Sequence, residues 1–238
     1  MLIQFNFKNF KSFRDDTSLD MTATSITEHP YNLINSGDEK YIKTAAIYGA
    51  NASGKSSVLE AFKFMQHWIL FSFKDSAANK NIPIKRFAFD IQMLQEPAEF
   101  EVFFKYKNRE YQYGFSLNNE KICEEWLYLK ENNKNKYITL FERSGAIINC
   151  NSNLLKGAEN FVSIVENKTL FLSIISNAKL PYVKDILEWF VAPVINYGAV
   201  ESENNLKENA LVLIESRQYE NELIKFLNAI DINIVRKY

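Results

Sequence analysis

One eight-residue stretch constrains this chain more than any other feature of its sequence. Gly49-Ala50-Asn51-Ala52-Ser53-Gly54-Lys55-Ser56 fits the pattern GxxxxGK[ST]. Glycine is scarce, 7 in 238 residues, yet two of the seven fall within six positions here. Chance would give roughly 0.002 such matches in a chain of these residue frequencies, so composition does not account for it. The pattern is that of a phosphate-binding loop. Its glycines let the backbone turn tightly, so that successive N–H groups and the start of a helix face one anion-sized hollow. Lys55 is placed to reach the outer phosphates of a nucleotide, and Ser56 to offer its hydroxyl to a bridging Mg2+.

The flanks supply the context such a loop requires. Thr44-Ala45-Ala46-Ile47-Tyr48 is a short apolar run and is expected as a buried strand. From Lys55 to Phe73, Val58, Leu59, Phe62, Met65 and Ile69 recur at helical spacing. Upstream, Ile3, Phe5 and Phe7 alternate with polar residues, which predicts a strand, and Leu19 and Met21 repeat the pattern briefly. The polar stretch from Thr22 to Lys43, with Pro30 and Gly37, reads as a loop or a partly ordered excursion.

Downstream the period changes to two. Phe100, Val102, Phe104 and Tyr106 alternate, and after Lys107-Asn108-Arg109 the alternation resumes at Tyr111, Tyr113, Phe115 and Leu117. Runs at Ile122–Lys130 and Tyr137–Phe141 flank the turn-like Asn132–Asn135, so an antiparallel meander is expected over residues 99–143. Its aromatic residues are expected in the sheet core. Asp90, Glu124 and Glu125 read as sheet-edge charges. Beyond Leu154 the pattern is mainly helical: Pro181 suits the opening of a helix through Trp189, and Leu206–Ile230 reads as one or two amphipathic helices. Two regions follow, a nucleotide-binding lobe over 1–153 and a helical region over 154–238.

Charge and cysteine content narrow the setting. With 28 basic and 29 acidic residues, bulk electrostatics give no case for nucleic-acid or membrane binding. No apolar run approaches a membrane span, and Met1–Phe5 has no basic leader. Cys123 and Cys150 are too few for a disulfide framework and fit a reducing cytoplasm, and His29 and His67 have no partner spacing for zinc. The bias to 26 Asn and 22 Lys against 6 Arg suggests a bacterial, AT-rich genome. No Asn-Lys pair is followed by the aspartate of a guanine-reading motif, which argues against GTP.

Phe7-Lys8-Asn9-Phe10-Lys11-Ser12-Phe13 resembles the opening of RecF-, SMC- and Rad-type ATPase heads. A fuller resemblance is to bacterial AAA-type ATPases with ABC-like heads among RloA and abortive-infection proteins. It rests on Ile47–Ser56, Phe100-Glu101, Tyr111–Phe115, Glu124–Tyr128 ("EEWLY"), Leu140–Arg143 ("LFER") and Leu170–Ser173 ("LFLS"). The resemblance implies an α/β P-loop NTPase, an ABC-type head lobe with an antiparallel β meander and C-terminal helices. It implies ATP and Mg2+ as cofactors, held by Gly49, Asn51, Ala52, Ser53, Gly54, Lys55, Ser56 and Ser57, with Lys55 catalytic, Ser56 on the metal, and Lys11 and Ser12 near the nucleotide. A homodimer or a partner ATPase or nuclease subunit is implied, in DNA processing or phage defence.

Such heads also carry a serine-glycine signature segment, a Walker B strand ending in Asp-Glu and a switch histidine. None stands out here. Ala210–Glu215 imitates Walker B without the acidic pair, and its continuation into Leu223, Phe226 and Leu227 fits a helix better. Leu172-Ser173 lacks the glycines of a signature loop and reads as core. Two readings stay open: the N-terminal part or a natural truncation of an ATPase head, weakly active alone, or a non-hydrolysing nucleotide-binding regulatory protein.

Overall fold

The alternating segments pair into one sheet. In the computed structural model, which describes residues 1–25, 29–37, 39–78, 81–131, 136–178, 180–193, 222, 224 and 225, the strands are β1 (Leu2–Lys8), β2 (Thr17–Asp20), β3 (Leu33–Ser36), β4 (Glu39–Ile42), β5 (Ala98–Tyr106), β6 (Arg109–Leu117), β7 (Ile122–Glu131), β8 (Ile138–Ser144) and β9 (Ile147–Cys150). Seven form an antiparallel sheet in the order β2-β1-β5-β6-β7-β8-β9, and β3 and β4 form a separate hairpin. Lys107 and Asn108, at φ 47° and 61°, make the two-residue β5–β6 turn, whose positive φ values match the twist of the strands it joins.

Register decides which side chains face inward. One row runs Phe7, Phe100, Phe115, Glu125, Arg143, and the next runs Phe5, Val102, Tyr113, Leu127, Phe141. All ten are buried. The opposite face carries Asn6, Glu101, Gly114, Trp126 and Glu142 in register. A Cβ at Gly114 would come within 2.4 Å of the Trp126 ring, so only glycine lets that indole lie flat and donate to Glu101.

Helix α1 (Lys55–Ala78) packs on the inward face through Val58, Ala61, Met65, Trp68 and Ile69. Phe62 meets Phe5 edge-on, and Phe64 lies against Phe100. Burying each of the larger side chains contributes about 1.5–3 kcal/mol before entropy is counted. Two shorter helices complete the layer: α2 (Phe171–Ile175), buried throughout, and α3 (Pro181–Val191), whose Val183, Ile186, Trp189 and Phe190 face inward. Pro181 opens α3, where its missing N–H costs nothing. Leu172 and Ser173 lie in the core as expected.

Two expectations need correcting, and a third, the partly ordered stretch 22–43, is made specific. Residues 44–50 belong to no strand among the described residues, and Ile47 and Tyr48 are exposed. An apolar run of this kind becomes a strand only between two partners, and no described strand runs beside it. Residues 22–43 hold the β3–β4 hairpin and a 3-10 turn at Pro30–Asn32, with Tyr41 buried. The chain also divides into units Met1–Pro193 and Val194–Tyr238, so α2 and α3 stay with the sheet where a boundary at residue 153 would separate them. Glu215 and nearly all of Leu206–Ile230 lie outside the described residues; 222, 224 and 225 are helical. The turn at Asn132–Asn135 also lies outside them. No described helix is long and apolar enough to cross a membrane.

Candidate functional site

The loop between Gly49 and Ser57 is shaped by two left-handed residues, Ala52 at φ 63° and Gly54 at φ 96°. Ser53 N–H donates to the Ala50 carbonyl, and Ser57 N–H to the Gly54 carbonyl, closing the loop onto the first turn of α1. At Gly54 a side chain would have no room. Its Cβ would lie 2.8 Å from Ser12 Oγ and 3.0 Å from the Phe13 ring. The residue 9–14 turn is thus pressed against the loop.

That turn is itself held in an uncommon conformation. Asn9 and Lys11 have φ near +53° and +51°, values that non-glycine residues seldom adopt. Phe10 and Phe13 exchange backbone hydrogen bonds, and Lys11 N–H donates to the Lys85 carbonyl. The fully buried Asn9 side chain donates to the carbonyls of Met93 and Glu96 and accepts from Phe87 N–H. Backbone contacts from two directions therefore fix where Ser12 stands.

Ser12, Ala52, Ser53, Gly54, Lys55, Ser56 and Ser57 line one open hollow of about 210 Å3. Ser12 Oγ stands 3.4 Å from Ser57 Oγ. Lys55 Nζ donates to the carbonyls of Gly49 at 2.8 Å and Ala50 at 2.6 Å, so the ammonium bridges both ends of its own loop. The N–H groups in the first turn of a helix lack intrahelical acceptors and carry the positive end of the helix dipole, which suits a phosphate. The donor set fits a nucleoside triphosphate: one ammonium, a helix start and four serines along the lining. Ser56 is exposed and has the hydroxyl a magnesium ion would need.

The expected residues do not all converge. Seven do, as the lining shows, whereas Gly49 contributes its carbonyl to Lys55 and Asn51 is exposed outside the hollow. Lys11 is also outside it, with its ammonium 2.5 Å from Glu60 Oε2 on α1. The sequence reading did not single out Glu60. Its place one helical turn after Ser56 was the available clue.

A second polar cluster lies within the core. Glu125 is not a sheet-edge charge but is 1 % exposed. It accepts from Tyr113 Oη at 2.9 Å and from the N–H groups of Phe171 and Leu172 at 2.7 and 3.0 Å, capping α2 from a distant strand. Arg143 stands 3.7 Å away and donates to the carbonyls of Thr169, Glu166 and Gly145. Burial raises the Glu125 carboxyl above its ordinary range, opposed by Arg143 and the helix N–H groups, and drives the Tyr113 phenol well up. Desolvation lowers Arg143. Glu124, by contrast, is exposed. Asp90 pairs with Arg14 at 2.8 Å, and the Gln92 N–H and that guanidinium hold its carboxyl below its usual range.

Tyr111, Tyr113 and Phe115 are fully buried, so none of these three rings is free to stack on a base. No group of three potential metal-ligating His, Cys, Asp or Glu side chains occurs among the described residues.

The sequence model of one protein family matches residues 45–197; its description reads "AAA domain, putative AbiEii toxin, Type IV TA system". The match takes in the phosphate loop, α1, β5–β9, α2 and α3, and begins after the turn that carries Lys11 and Ser12. No curated protein matches the chain.

Proposed function

Because the chain belongs to this AAA-domain family, we propose that it is the ATP-binding module of an ABC-type ATPase head of the RloA and abortive-infection kind. The observation that carries this reading is the hollow itself, which is lined by Lys55, the start of α1 and the four serines Ser12, Ser53, Ser56 and Ser57. Lys55 would exchange its loop carbonyls for phosphate oxygens. Ser56 would hold Mg2+, which neutralises phosphate charge when bound. Gly49 and Asn51 shape the loop, and Lys11 comes to the nucleotide from the neighbouring turn.

Hydrolysis needs more than this hollow. A water must be oriented for attack, and none of the residues lining the described hollow is an acid. We therefore read turnover by this chain as slow, with Glu215 or a second subunit as the source of the missing group. A homodimer or a partner nuclease, acting in the cytoplasm in phage defence or DNA processing, completes the reading. The alternative, a regulator that binds ATP without consuming it, draws on the same lining.

The test is calorimetric titration of the full chain with ATP, with and without Mg2+, against GTP, followed by phosphate release. Micromolar, magnesium-dependent binding that favours ATP is expected. Absence of binding would reject the reading, and turnover of order 1 per second would reject its slow-hydrolysis part.

A further inference from the structure

Glu60 is a carboxylate where a phosphate site would least be expected to have one. It lies on α1 one turn beyond Ser56 and Ser57, close to the helix start that attracts anions. Left alone, its charge would oppose a polyphosphate in the neighbouring hollow. It is not alone, because Lys11 Nζ stands 2.5 Å from its Oε2, with both side chains about one-third exposed. Lys11 belongs to the same strained turn as Ser12, and Ser12 lines the hollow. The pair therefore joins the turn to α1 beside the phosphate loop and is still reached by solvent.

We propose that Glu60 is a positioning residue that holds Lys11 off the phosphate site, and that a bound triphosphate takes Lys11 over from Glu60. The inference rests on the nucleotide reading above and adds a resting partner for Lys11 to it. An ammonium between one carboxylate and a polyphosphate moves to the greater charge density if the distance allows. A lysine on a flexible stem at a partly solvated site makes that exchange at low cost. Because the carboxylate competes with the ligand, it weakens nucleotide binding in proportion to the strength of the pair. Exposed pairs of this kind are weak, so the competition amounts to a few-fold in affinity.

The arrangement gives a sign that a merely structural strut would not. If Glu60 only braced the turn, Glu60→Gln would loosen Ser12 and weaken binding. If Glu60 restrains Lys11, Glu60→Gln tightens it. The experiment is a double-substitution cycle on the full chain: wild type, Glu60→Gln, Lys11→Gln and the pair, each titrated with Mg2+ and ATP, and each melted without nucleotide. Expected are about threefold tighter binding for Glu60→Gln, weaker binding for Lys11→Gln, and a markedly smaller gain from Glu60→Gln once Lys11 is gone. The melts should be non-additive, reporting the ion pair itself. Unchanged or weaker binding by Glu60→Gln, or an equal gain in both backgrounds, would overturn the inference. A wild-type chain that binds no ATP would instead overturn the nucleotide reading, and this inference with it.

Discussion

Two helix starts in this molecule meet the same electrostatic problem with opposite solutions. At α2, the N–H groups of Phe171 and Leu172 donate to Glu125, a carboxylate delivered from β7 and enclosed by Tyr113 and Arg143. At α1, the first turn meets serine hydroxyls, a lysine and an open hollow. Each helix start favours an anion. In the first case the chain supplies the anion from its own sequence and buries it. In the second the polar groups remain at the surface, where an anion from solution can reach them. The contrast separates a polar cluster that stabilises the fold from one that can bind, using the same chemistry.

The largest effect that would break the comparison lies at the buried start. Glu125→Ala should leave Arg143 unpaired and two helix N–H groups without an acceptor, costing about 3–5 kcal/mol in chemical denaturation. A drop below about 1 kcal/mol would mean the cluster is looser than its geometry. Replacing the pair together, Glu125→Leu with Arg143→Met, should recover only the part due to a lone buried charge, since the Phe171 and Leu172 N–H groups, Tyr113 Oη and the carbonyls that Arg143 serves still lose their partners.

At the open start the expected pattern is reversed. Lys55→Ala should weaken Mg2+-ATP binding by about ten- to a hundredfold, the worth of a charge-assisted hydrogen bond to phosphate. Its melting temperature should hardly move, because the Lys55 ammonium donates to two carbonyls of its own loop and to no other element among the described residues. Unfolding of the variant would show the loop to be part of the structural frame.

Tyr113→Phe should sharpen the comparison from the buried side. It removes one hydrogen bond to Glu125 and keeps the ring in its place between Val102 and Leu127. A loss of about 1 kcal/mol is expected, with ATP binding unchanged. A change in ATP affinity would show that the two clusters communicate through α1 and α2, whose serines bond across the pair, Ser72 to Leu170 N–H and Ser173 to Phe73 N–H.

How much of this was legible in the sequence follows from the range of the interactions. The phosphate loop is local, eight consecutive residues, so its chemistry is readable in one line. The meander is readable because a period of two and the Lys107-Asn108 turn act between neighbours. Glu125 was misread because nothing within β7 says that Tyr113, Arg143 and the start of α2 converge on it; only the register Phe115–Glu125–Arg143 does. The words around Glu125, Arg143 and Leu170 that carried the family resemblance turn out to supply one buried cluster. Lys11 was placed at the nucleotide by resemblance, and its partner Glu60 sits on another element. The run 44–48 has strand composition, but composition cannot supply the neighbouring strands that would make it one.

The smallest expected effect supplies a surface reference for both clusters. Glu188, on the outer side of α3, accepts from Lys107 Nζ at 2.7 Å and Tyr106 Oη at 3.1 Å. The hydrogen bond from Lys107, then that from Tyr106, holds its carboxyl below the ordinary value of 4.5. A carboxylate whose folded value is depressed adds stability that is complete above the unfolded value and is lost as pH falls through the folded one. Thermal stability should therefore be level near neutrality and fall on acidification below about pH 4.5, and Glu188→Gln should make that fall shallower without abolishing it. Glu39, depressed by Lys105 and Tyr41, and Asp90, depressed by the Gln92 N–H and Arg14, titrate in the same region and sustain the remainder. Melting curves at pH 7, 5, 4 and 3 would measure this. A Glu188→Gln profile that paralleled the wild type at every pH would show that solvent had already screened the pair, leaving the buried Glu125 cluster as the place where charge matters to this fold.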